Sequence, residues 1–424
     1  MNLLRFSPNL LFWILVLGLL ISSCKKEGAP TGSQGGAPTI VSFTANPSSV
    51  SSSGDSVLLS WKVTGATSLS ISPNVGTVAP TDSGARKVFV SSTTTFVLTA
   101  TNSNGNVTAS TQVTAPVQTG WAQQTSGTTA QLQAVHFVDS NTGTVVGGTG
   151  GGTGGLILRT TNGGTSWAAQ SYGDTTYPYS TALFGVWFTS TTVGTVVGAN
   201  GTILHTTDGG TTWIAQSSGT SRWLFDVTFI DALKGIAVGG FGTILRTTDG
   251  GGTWINQSFS SSDDLSGVHF IDANTGTAVG GNPFGGSQLI RRTTDGGATW
   301  TAQSSGTSNN LYDIFFTDAN TGTAVGGQFI GGGGGSILRT TDGGTSWSNQ
   351  PSTALFDVFF TGANNGIAVG YHGLILRTTD AGSSWAQQTS GTTSTLNGVF
   401  FSNASTGTCV GDNGTILRTT TGGL

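Results

Sequence analysis

Glutamate is almost absent from this sequence of 424 residues, and charge of either sign is scarce. There is a single glutamate, Glu27, and Asp, Glu, Lys and Arg together make up 8% of the chain, against about 25% in an average protein. The net charge is −4 and the pI is about 5.4, so the chain lacks the basic excess typical of nucleic-acid binding. We expect no nucleic-acid partner. The shortage of Glu, Lys and Met also disfavours helices.

Cysteine is scarce as well, and Cys24 is one of only two. It follows an apolar run from Leu10 to Ile21, about 12 residues, which is too short to span a bilayer. The string Ile21-Ser22-Ser23-Cys24 resembles a bacterial lipobox, which implies a lipoprotein signal peptide over 1–23 and a lipid anchor on Cys24. Lys25 and Lys26 follow the cysteine in place of an aspartate, which in such lipoproteins favours delivery to the outer membrane. An ordinary secretory signal is the alternative.

The other cysteine, Cys409, has no partner for an intramolecular disulfide once Cys24 is acylated. It occupies a position where other copies of an internal repeat carry Val or Ala. The sequence therefore predicts that Cys409 is a small buried hydrophobic residue.

Glycine is abundant, with 68 residues, and 11 Trp and 22 Phe provide apolar area for a core. No Gly-X-Y period is present, so collagen is excluded. Residues 24–37 are predicted to be a flexible tether. Residues 38–117 contain about seven short strand patterns, including Val57-Leu59-Trp61-Val63 on one face. This size and rhythm predict an Ig-like β-sandwich, which we interpret as a spacer.

An internal repeat of about 43 residues occupies residues 120–424. Its clearest copy reads Gly-Thr-Ile-Leu-Arg-Thr-Thr-Asp-Gly-Gly-Gly-Thr-Trp from Gly242 to Trp254. The length of the repeat fits four short strands, which is one propeller blade. The fold class predicted is therefore all-β: a seven-bladed β-propeller with four-stranded blades, preceded by the Ig-like sandwich.

The two ends of the repeat region predict how the ring closes. The last copy ends just before its tryptophan, whereas Gly120-Trp121 supplies such a strand ahead of the first copy. The N-terminal strand should therefore complete the last blade and leave only short, protected edges. This gives seven tryptophans for seven blades: Trp121, Trp167, Trp213, Trp254, Trp300, Trp347 and Trp385.

The hairpin Thr-Thr-Asp-Gly-Gly-x-Thr-Trp resembles the Asp-box, or BNR repeat, of sialidases and other propellers. Its aspartate should accept backbone N–H bonds within the turn, while the glycines adopt positive φ. A ring of catalytic or metal-binding carboxylates is the alternative, but Asn162 and Thr421 interrupt the set. The structural box residues are Asp208, Asp249, Asp295, Asp342 and Asp380.

A basic residue precedes each box position by three residues. The seven are Arg159, His205, Arg246, Arg292, Arg339, Arg377 and Arg418. In one interpretation each arginine forms a structural salt bridge, with the box aspartates or the strand residues Asp226, Asp313 and Asp357 as partners. In the other, the seven residues form a partner-binding surface, since guanidinium groups suit carboxylate recognition.

Metal and cofactor sites are not indicated. A turn motif, Asp-x-Asn-Thr-Gly, occurs at Asp139, Asp272 and Asp318, but it lacks the further carboxylates of a calcium loop, and a tight turn explains it better. The histidines show no ligand spacing. We expect no metal, no cofactor and no catalytic residue.

Residues 120–424 resemble the photosystem II stability and assembly factor family, whose repeats read much like Gly-Thr-Ile-Leu-Arg-Thr-Thr-Asp-Gly-Gly-x-Thr-Trp. The resemblance implies a non-enzymatic seven-bladed propeller that binds a membrane protein during assembly through an arginine-rich surface. The repeat arginines are the residues that match. The Ig-like domain and the tether depart from the family.

An enzyme is the alternative. Sialidase chemistry needs a Tyr–Glu pair, and the repeat region has no glutamate. A glycosidase that uses two aspartates would be expected to carry aromatic sugar platforms, for which Trp187, Trp223, Tyr177 and Tyr179 are candidates, together with the insertion 172–180. The prediction favoured is a monomeric, non-enzymatic protein of the cell envelope that binds a membrane or envelope protein, facing the periplasm or the surface. Glycan binding or hydrolysis is the second choice.

Overall fold

The computed structural model describes residues 36–50, 55–90, 93–114, 120–149, 154–172, 182–282, 288–328 and 334–423. The predicted signal peptide, Cys24 and most of the tether lie outside these residues, as do Tyr177 and Tyr179. Within them the chain is almost entirely strand and turn, and no helix is long and apolar enough to cross a membrane. The chain divides into two compact units between Ala115 and Pro116.

The first unit is built from two antiparallel sheets that share one hydrophobic core. Its strands are β1 Thr39–Asn46, β2 Asp55–Thr64, β3 Ser68–Ser72, β4 Gly76–Val78, β5 Ser83–Val90, β6 Thr94–Asn102 and β7 Gly105–Val113. The sheet orders are β1-β2-β5 and β4-β3-β6-β7. Val57, Leu59, Trp61 and Val63 are all buried, which confirms that they share one face of β2.

The second unit begins with β8, Ala122–Gln124, and its described residues form seven four-stranded antiparallel sheets. Sheet 1 contains β9 Leu132–Phe137, β10 Gly143–Thr149, β11 Gly154–Thr160 and β12 Ala168–Gln170. Sheet 2 contains β13 Leu183–Phe188, β14 Gly194–Gly198, β15 Ile203–Thr206 and β16 Ile214–Gln216. Sheet 3 contains β17 Leu224–Phe229, β18 Gly235–Gly239, β19 Thr243–Thr247 and β20 Ile255–Asn256.

The remaining sheets repeat the same order. Sheet 4 contains β21 Asp264–Phe270, β22 Gly276–Gly281, β23 Gln288–Thr293 and β24 Thr301–Gln303. Sheet 5 contains β25 Asn310–Phe316, β26 Gly322–Gly327, β27 Gly335–Thr340 and β28 Ser348–Ser352. Sheet 6 contains β29 Leu355–Phe360, β30 Gly366–Gly370, β31 Ile375–Thr378 and β32 Ala386–Gln388. Sheet 7 contains β33 Leu396–Phe401, β34 Gly407–Gly411 and β35 Ile416–Thr419, and its fourth strand is β8.

Strand β8 joins the two ends of the second unit. It pairs antiparallel with β35, with Ala122 opposite Arg418 and Gln124 opposite Ile416. The first strands of the sheets also contact one another in order, β9 to β13, β17, β21, β25, β29 and β33, and β33 contacts β9. The first strands are therefore neighbours in a cyclic order.

Hydrophobic residues of each sheet pack against the next sheet. Val146 and Ile157 of sheet 1, for example, share a buried cluster with Leu183 and Phe188 of sheet 2. Cys409 is completely buried in the cluster that joins sheets 6 and 7, which confirms its predicted role.

Glycine at the end of the second strand permits a close approach that the repeat requires. A β-bulge interrupts the pairing of β25 with β26. At the bulge, the carbonyl oxygen of Asn310 lies so close to Gly326 that a Cβ at that position would clash with it. The bulge recurs in the first strands of all seven sheets among the described residues. The bulge turns two successive residues of a first strand toward the same side of its sheet.

Candidate functional site

The repeat arginines lie between sheets. Five of them donate hydrogen bonds to backbone carbonyl oxygens of the following sheet. The acceptors are Thr191 O for Arg159 (2.6 Å), Gly296 O for Arg246 (2.9 Å), Ala319 O for Arg292 (2.8 Å), Ala381 O for Arg339 (2.8 Å) and Ser140 O for Arg418 (2.6 Å). Three also lie over a phenylalanine ring of that sheet, as Arg159 does over Phe188 at 4.5 Å.

The other two basic positions are also partly enclosed. His205 shares a hydrogen bond of 3.2 Å with Thr195 Oγ1, and burial lowers its pKa. Arg377 lines a small cavity against Phe401 and Gly422 of sheet 7 and its turn. A partner that bound the arginine set would have to displace contacts between sheets.

The carboxylate pairing considered for these arginines is wrong for Asp226, Asp313 and Asp357. Their carboxyl groups instead accept N–H bonds from the following sheet: Val268 N to Asp226 Oδ2 at 2.9 Å, Val358 N to Asp313 Oδ2 at 3.0 Å, and Val399 N to Asp357 Oδ2 at 2.7 Å. The ion pair found among the described residues is Lys234–Asp231, at 4.0 Å. The sequence had no signal for the true acceptors of the arginines, because a carbonyl is present at every residue.

The box aspartates close their own turns. Asp208 Oδ1 accepts the N–H of Thr212 at 2.9 Å, and Oδ2 accepts its hydroxyl at 2.7 Å. Asp249, Asp295, Asp342 and Asp380 make the same pair of bonds. These hydrogen bonds lower the pKa of all five carboxyls to about 2. Asn162 accepts the N–H of Ser166 in the same way, at 3.0 Å.

The box tryptophans pack edge-on against the last phenylalanine of the first strand in their own sheet, at 5.9 to 6.2 Å between centroids. The pairs are Trp121–Phe401, Trp167–Phe137, Trp213–Phe188, Trp254–Phe229, Trp300–Phe270, Trp347–Phe316 and Trp385–Phe360. Trp121 and Trp213 are buried and the other five are half-buried. The tryptophans therefore contribute to the packing of the second unit.

A glutamine three residues after each tryptophan was missed by the sequence analysis. Gln124, Gln170, Gln303 and Gln350 donate from Nε2 to a box glycine carbonyl of the next sheet, at 2.8 to 3.1 Å. Gln170 also accepts the indole N–H of Trp213 at 3.4 Å. The signal was present, because the spacing Trp-x-x-Gln recurs in all seven copies.

A cavity of about 600 Å³ lies where the first strands converge. The bulge exposes two successive residues of a first strand to it, as with Phe225 and Asp226. Five aspartates line the cavity: Asp226, Asp264, Asp313, Asp357 and Asp412. Six aromatic residues also line it: Phe184, Trp223, Phe225, Tyr312, Phe356 and Tyr371. Trp223 and three of these aspartates stand out in the sequence, but nothing in their spacing indicates that they lie together.

Three of these carboxyls interact in the depth of the cavity. Burial raises the pKa of Asp226 to about 6 and raises the pKa of Asp313 well above its usual range. The negative charge of Asp357 and a hydrogen bond with it add to the shift of Asp313, whereas the same hydrogen bond opposes the rise that burial causes in the pKa of Asp357. The two carboxyls therefore share one proton as a pair.

An aromatic layer follows the aspartates along the first strands. It runs through Trp187, His136, Phe400, Phe359, Phe315 and His269, with successive ring centroids 4.2 to 5.2 Å apart. Burial lowers the pKa of His136 to about 3 and that of His269 to about 4, so both are neutral near pH 7. Trp187, considered above as a sugar platform, belongs to this layer rather than to the cavity.

The turn aspartates also bind their own backbone. Asp139 Oδ1 accepts the N–H groups of Asn141 and Thr142, both at 2.7 Å, and Asp272 and Asp318 do the same in their turns. The described residues contain no group of three or more His, Cys, Asp or Glu placed to hold a metal ion.

Comparison with known families and structures identifies the fold of the second unit. The profile of the family described as photosynthesis system II assembly factor YCF48 matches residues 113–215 and 212–302. No curated protein matches the sequence. The structure titled "YCF48 bound to D1 peptide" is 21% identical, with a TM-score of 0.58 over 72% of this chain and 98% of that one. YCF48 from Cyanidioschyzon merolae is also 21% identical, with a TM-score of 0.56 over 71% and 98%.

An enzyme shares the same fold. The GH74 xyloglucanase from Xanthomonas campestris is 12% identical, with a TM-score of 0.55 over 72% of this chain. This chain spans about half of that enzyme, 54% of its length. At these identities the likenesses concern the fold alone. Together with the profile match, they show that the second unit is a BNR β-propeller with a fold like that of the assembly factor YCF48.

Proposed function

We propose that this protein is a non-enzymatic, lipid-anchored binding platform of the cell envelope, and that its propeller binds a segment of a partner protein at the central cavity. One observation carries the proposal: the cavity combines six aromatic side chains with five carboxyl groups from strands and turns of several different sheets. Recognition sites of this size are mostly apolar with a few convergent polar groups. The likeness to a YCF48 structure with a bound peptide supports a polypeptide ligand.

The finer architecture is part of the same proposal. We take the seven sheets as seven blades, with β8 closing the ring through its pairing with β35. The cyclic contacts of the first strands support this closure. A closed ring holds the cavity residues rigidly, which lowers the entropy lost when a partner binds.

The proposed spacer and lipid anchor are the N-terminal parts of the protein. The two sheets and shared core of the first unit fit an Ig-like spacer, and Cys24 provides the lipid anchor. In a bacterial host with lipoprotein processing, Cys24→Ser is expected to move the protein from the membrane fraction to the soluble fraction. Retention in the membrane would refute the anchor.

Glycoside hydrolysis is the competing function, because a carboxyl pair lies among aromatic residues and GH74 enzymes share the fold. Glycosidases hold their two carboxyl groups roughly 5 to 10 Å apart. Asp313 and Asp357 instead share a hydrogen bond. This close contact supports a binding role for the two carboxyls rather than the roles of general acid and nucleophile in glycoside hydrolysis.

The test is site-specific photo-cross-linking in the native envelope. A benzoylphenylalanine replaces Trp223, which is half exposed at the cavity, and in a matched control it replaces Ile214, which is exposed on β16. We expect a discrete protein adduct from position 223 and none from position 214. No adduct from position 223, or the same adducts from both positions, would overturn the proposal.

A further inference from the structure

The cavity is negatively charged without compensation from its own lining. Among the described residues that line it, five are aspartates and none is Lys or Arg. Arg222 acts on one of them, Asp264, where its positive charge opposes the rise in the pKa that burial causes. Arg222 lies outside the lining, over the ring of Phe241 at 4.0 Å. An anionic ligand is disfavoured here, and a cation would gain from every carboxylate.

The aromatic wall fits the same ligand. Phe184 stacks on Trp223 at 5.5 Å between centroids, and Phe356 contacts both Tyr312 and Tyr371 at 5.0 Å. The electron-rich face of an aromatic ring attracts ammonium and guanidinium groups, and does so most strongly where water is displaced. The same rings provide apolar surface for the carbon chain that bears such a group.

A third observation is independent of the charges. The side chain of Asn310 is 3% exposed and lines the cavity, yet its Oδ1 has no hydrogen-bond partner among the described residues. The amide group of Asn310 lies close enough to the Tyr312 hydroxyl to oppose the rise in pKa that burial causes there, but the two form no hydrogen bond of good geometry, and the Tyr312 hydroxyl has no partner among the described residues either. A buried acceptor without a donor is costly, and the N–H group of a ligand would satisfy it.

We propose that this cavity binds an organic cation on an apolar chain, such as the ammonium group of a lysine side chain or of a free alkylamine. The inference rests on the proposed binding role of the cavity and specifies its ligand. Asp226, Asp264 and Asp412 provide charge, the aromatic wall holds the carbon chain, and Asn310 Oδ1 accepts an N–H.

Binding should be coupled to proton release. The titratable groups that face the Asp313–Asp357 pair are Asp226 and the buried thiol of Cys409. The pair holds a proton because its carboxyls are buried close together, and a cation nearby favours the ionised form. The ligand therefore displaces protons from the pair or from Asp226, and affinity rises as the pH rises through about 6, the pKa of Asp226.

The experiment uses the full chain and calorimetric titration at pH 7 in two buffers of different ionisation enthalpy. The probes are a peptide of alternating Lys and Ala, the same peptide with norleucine in place of Lys, and spermine. We expect the lysine peptide or spermine to bind with proton release, and the norleucine peptide to bind at least about tenfold more weakly. Binding of spermine without the lysine peptide would identify a free amine as the source.

Variants distinguish binding in the cavity from a nonspecific attraction between the ligand and the negative charge of the protein. Asp264→Asn with Asp412→Asn removes two lining charges and should weaken binding about tenfold or more. Asp263→Asn, next to the site but outside its lining, should have little effect. Unchanged melting curves establish that both proteins are folded. If the norleucine and lysine peptides bind alike, or if the two variants lose equal affinity, the cation site is refuted. A persisting cross-link from position 223 would then leave the proposed function standing.

Discussion

Asp313 and Asp357, on the first strands of sheets 5 and 6, are buried carboxyl groups that share a hydrogen bond, which raises the pKa of Asp313 and opposes the rise in the pKa of Asp357 that burial causes. Each also accepts a backbone N–H from the following sheet, Asp313 from Val358 at 3.0 Å and Asp357 from Val399 at 2.7 Å. The pair therefore connects three successive sheets. Two buried negative charges in contact are unfavourable, so the pair keeps one proton near neutral pH.

Substitutions at Asp313 test whether the pair holds a proton. In Asp313→Asn the amide nitrogen can donate to Asp357 and the amide oxygen can accept from Val358, so the free energy of unfolding should change by less than about 1 kcal/mol. In Asp313→Ala the N–H of Val358 loses its acceptor, at a cost of about 1–3 kcal/mol. Urea unfolding at pH 7 measures both. Equal losses for Asn and Ala would contradict a proton shared between Asp313 and Asp357.

Arg159 should be a stability residue. It is 9% exposed, donates to Thr144 Oγ1 at 2.7 Å and to Thr191 O at 2.6 Å, and covers the ring of Phe188. Arg159→Ala leaves a carbonyl of the next sheet unpaired, and hydrogen bonds to charged groups are each worth about 1.5–3 kcal/mol. We expect a loss of that size in urea unfolding.

Lys234→Ala is the control for Arg159→Ala. It removes the same charge, but Lys234 is exposed and forms an ion pair of 4.0 Å with Asp231, a contact worth less than about 1 kcal/mol. If both variants lost the same small amount, the contacts of Arg159 between sheets would contribute nothing to stability.

The repetitive part of this fold was accessible from sequence. Alternation on β2, the 43-residue period and the Asp-box turn each depend on local spacing, and the structure shows a four-stranded sheet for each repeat. Cys409 followed from comparison with its sibling positions. The glutamines after each tryptophan were equally regular, but their role could not be deduced because their acceptors are backbone carbonyls of another sheet.

The cavity could not be predicted for a different reason. Asp226, Asp313 and Asp357 are separated by whole repeats, and their convergence depends on the cyclic order of the first strands. The bulge that presents Phe225 together with Asp226 also breaks the simple alternation of a strand. From the sequence these carboxyls were therefore only candidate partners of the arginines in one of two interpretations, whereas five of the arginines reach backbone carbonyls instead.

The N-terminal strand should be as important as a strand within a repeat. Trp121 is 8% exposed and lies 5.9 Å from Phe401 of the last sheet, while Trp213 is 7% exposed and lies 6.0 Å from Phe188. Trp121→Ala and Trp213→Ala should each cost about 3–5 kcal/mol. Calorimetric melting of both variants compares them. A near-zero effect of Trp121→Ala beside a large effect of Trp213→Ala would refute closure by β8.

The box aspartates should make the protein sensitive to acid in a defined range. Their pKa in the fold is about 2, below the usual value of 3.8. Between these values the unfolded chain binds more protons than the folded one, so stability falls as the pH falls from about 4 to about 2. The raised pKa of Asp226, about 6, acts in the opposite direction and in the separate range from about 4 to 6.

Exchanging the box residue between Asp and Asn isolates this effect. Asn162 holds the same turn without a charge, so Asp208→Asn should fold normally at pH 7 and lose part of the decline in stability between pH 4 and 2. Asn162→Asp should steepen that decline, because it adds a carboxyl whose ionised form the turn stabilises. Urea unfolding from pH 7 to 2 measures the three slopes. Parallel curves for the wild type and both variants would mean that the box carboxylates are no better stabilised in the fold than in the unfolded chain.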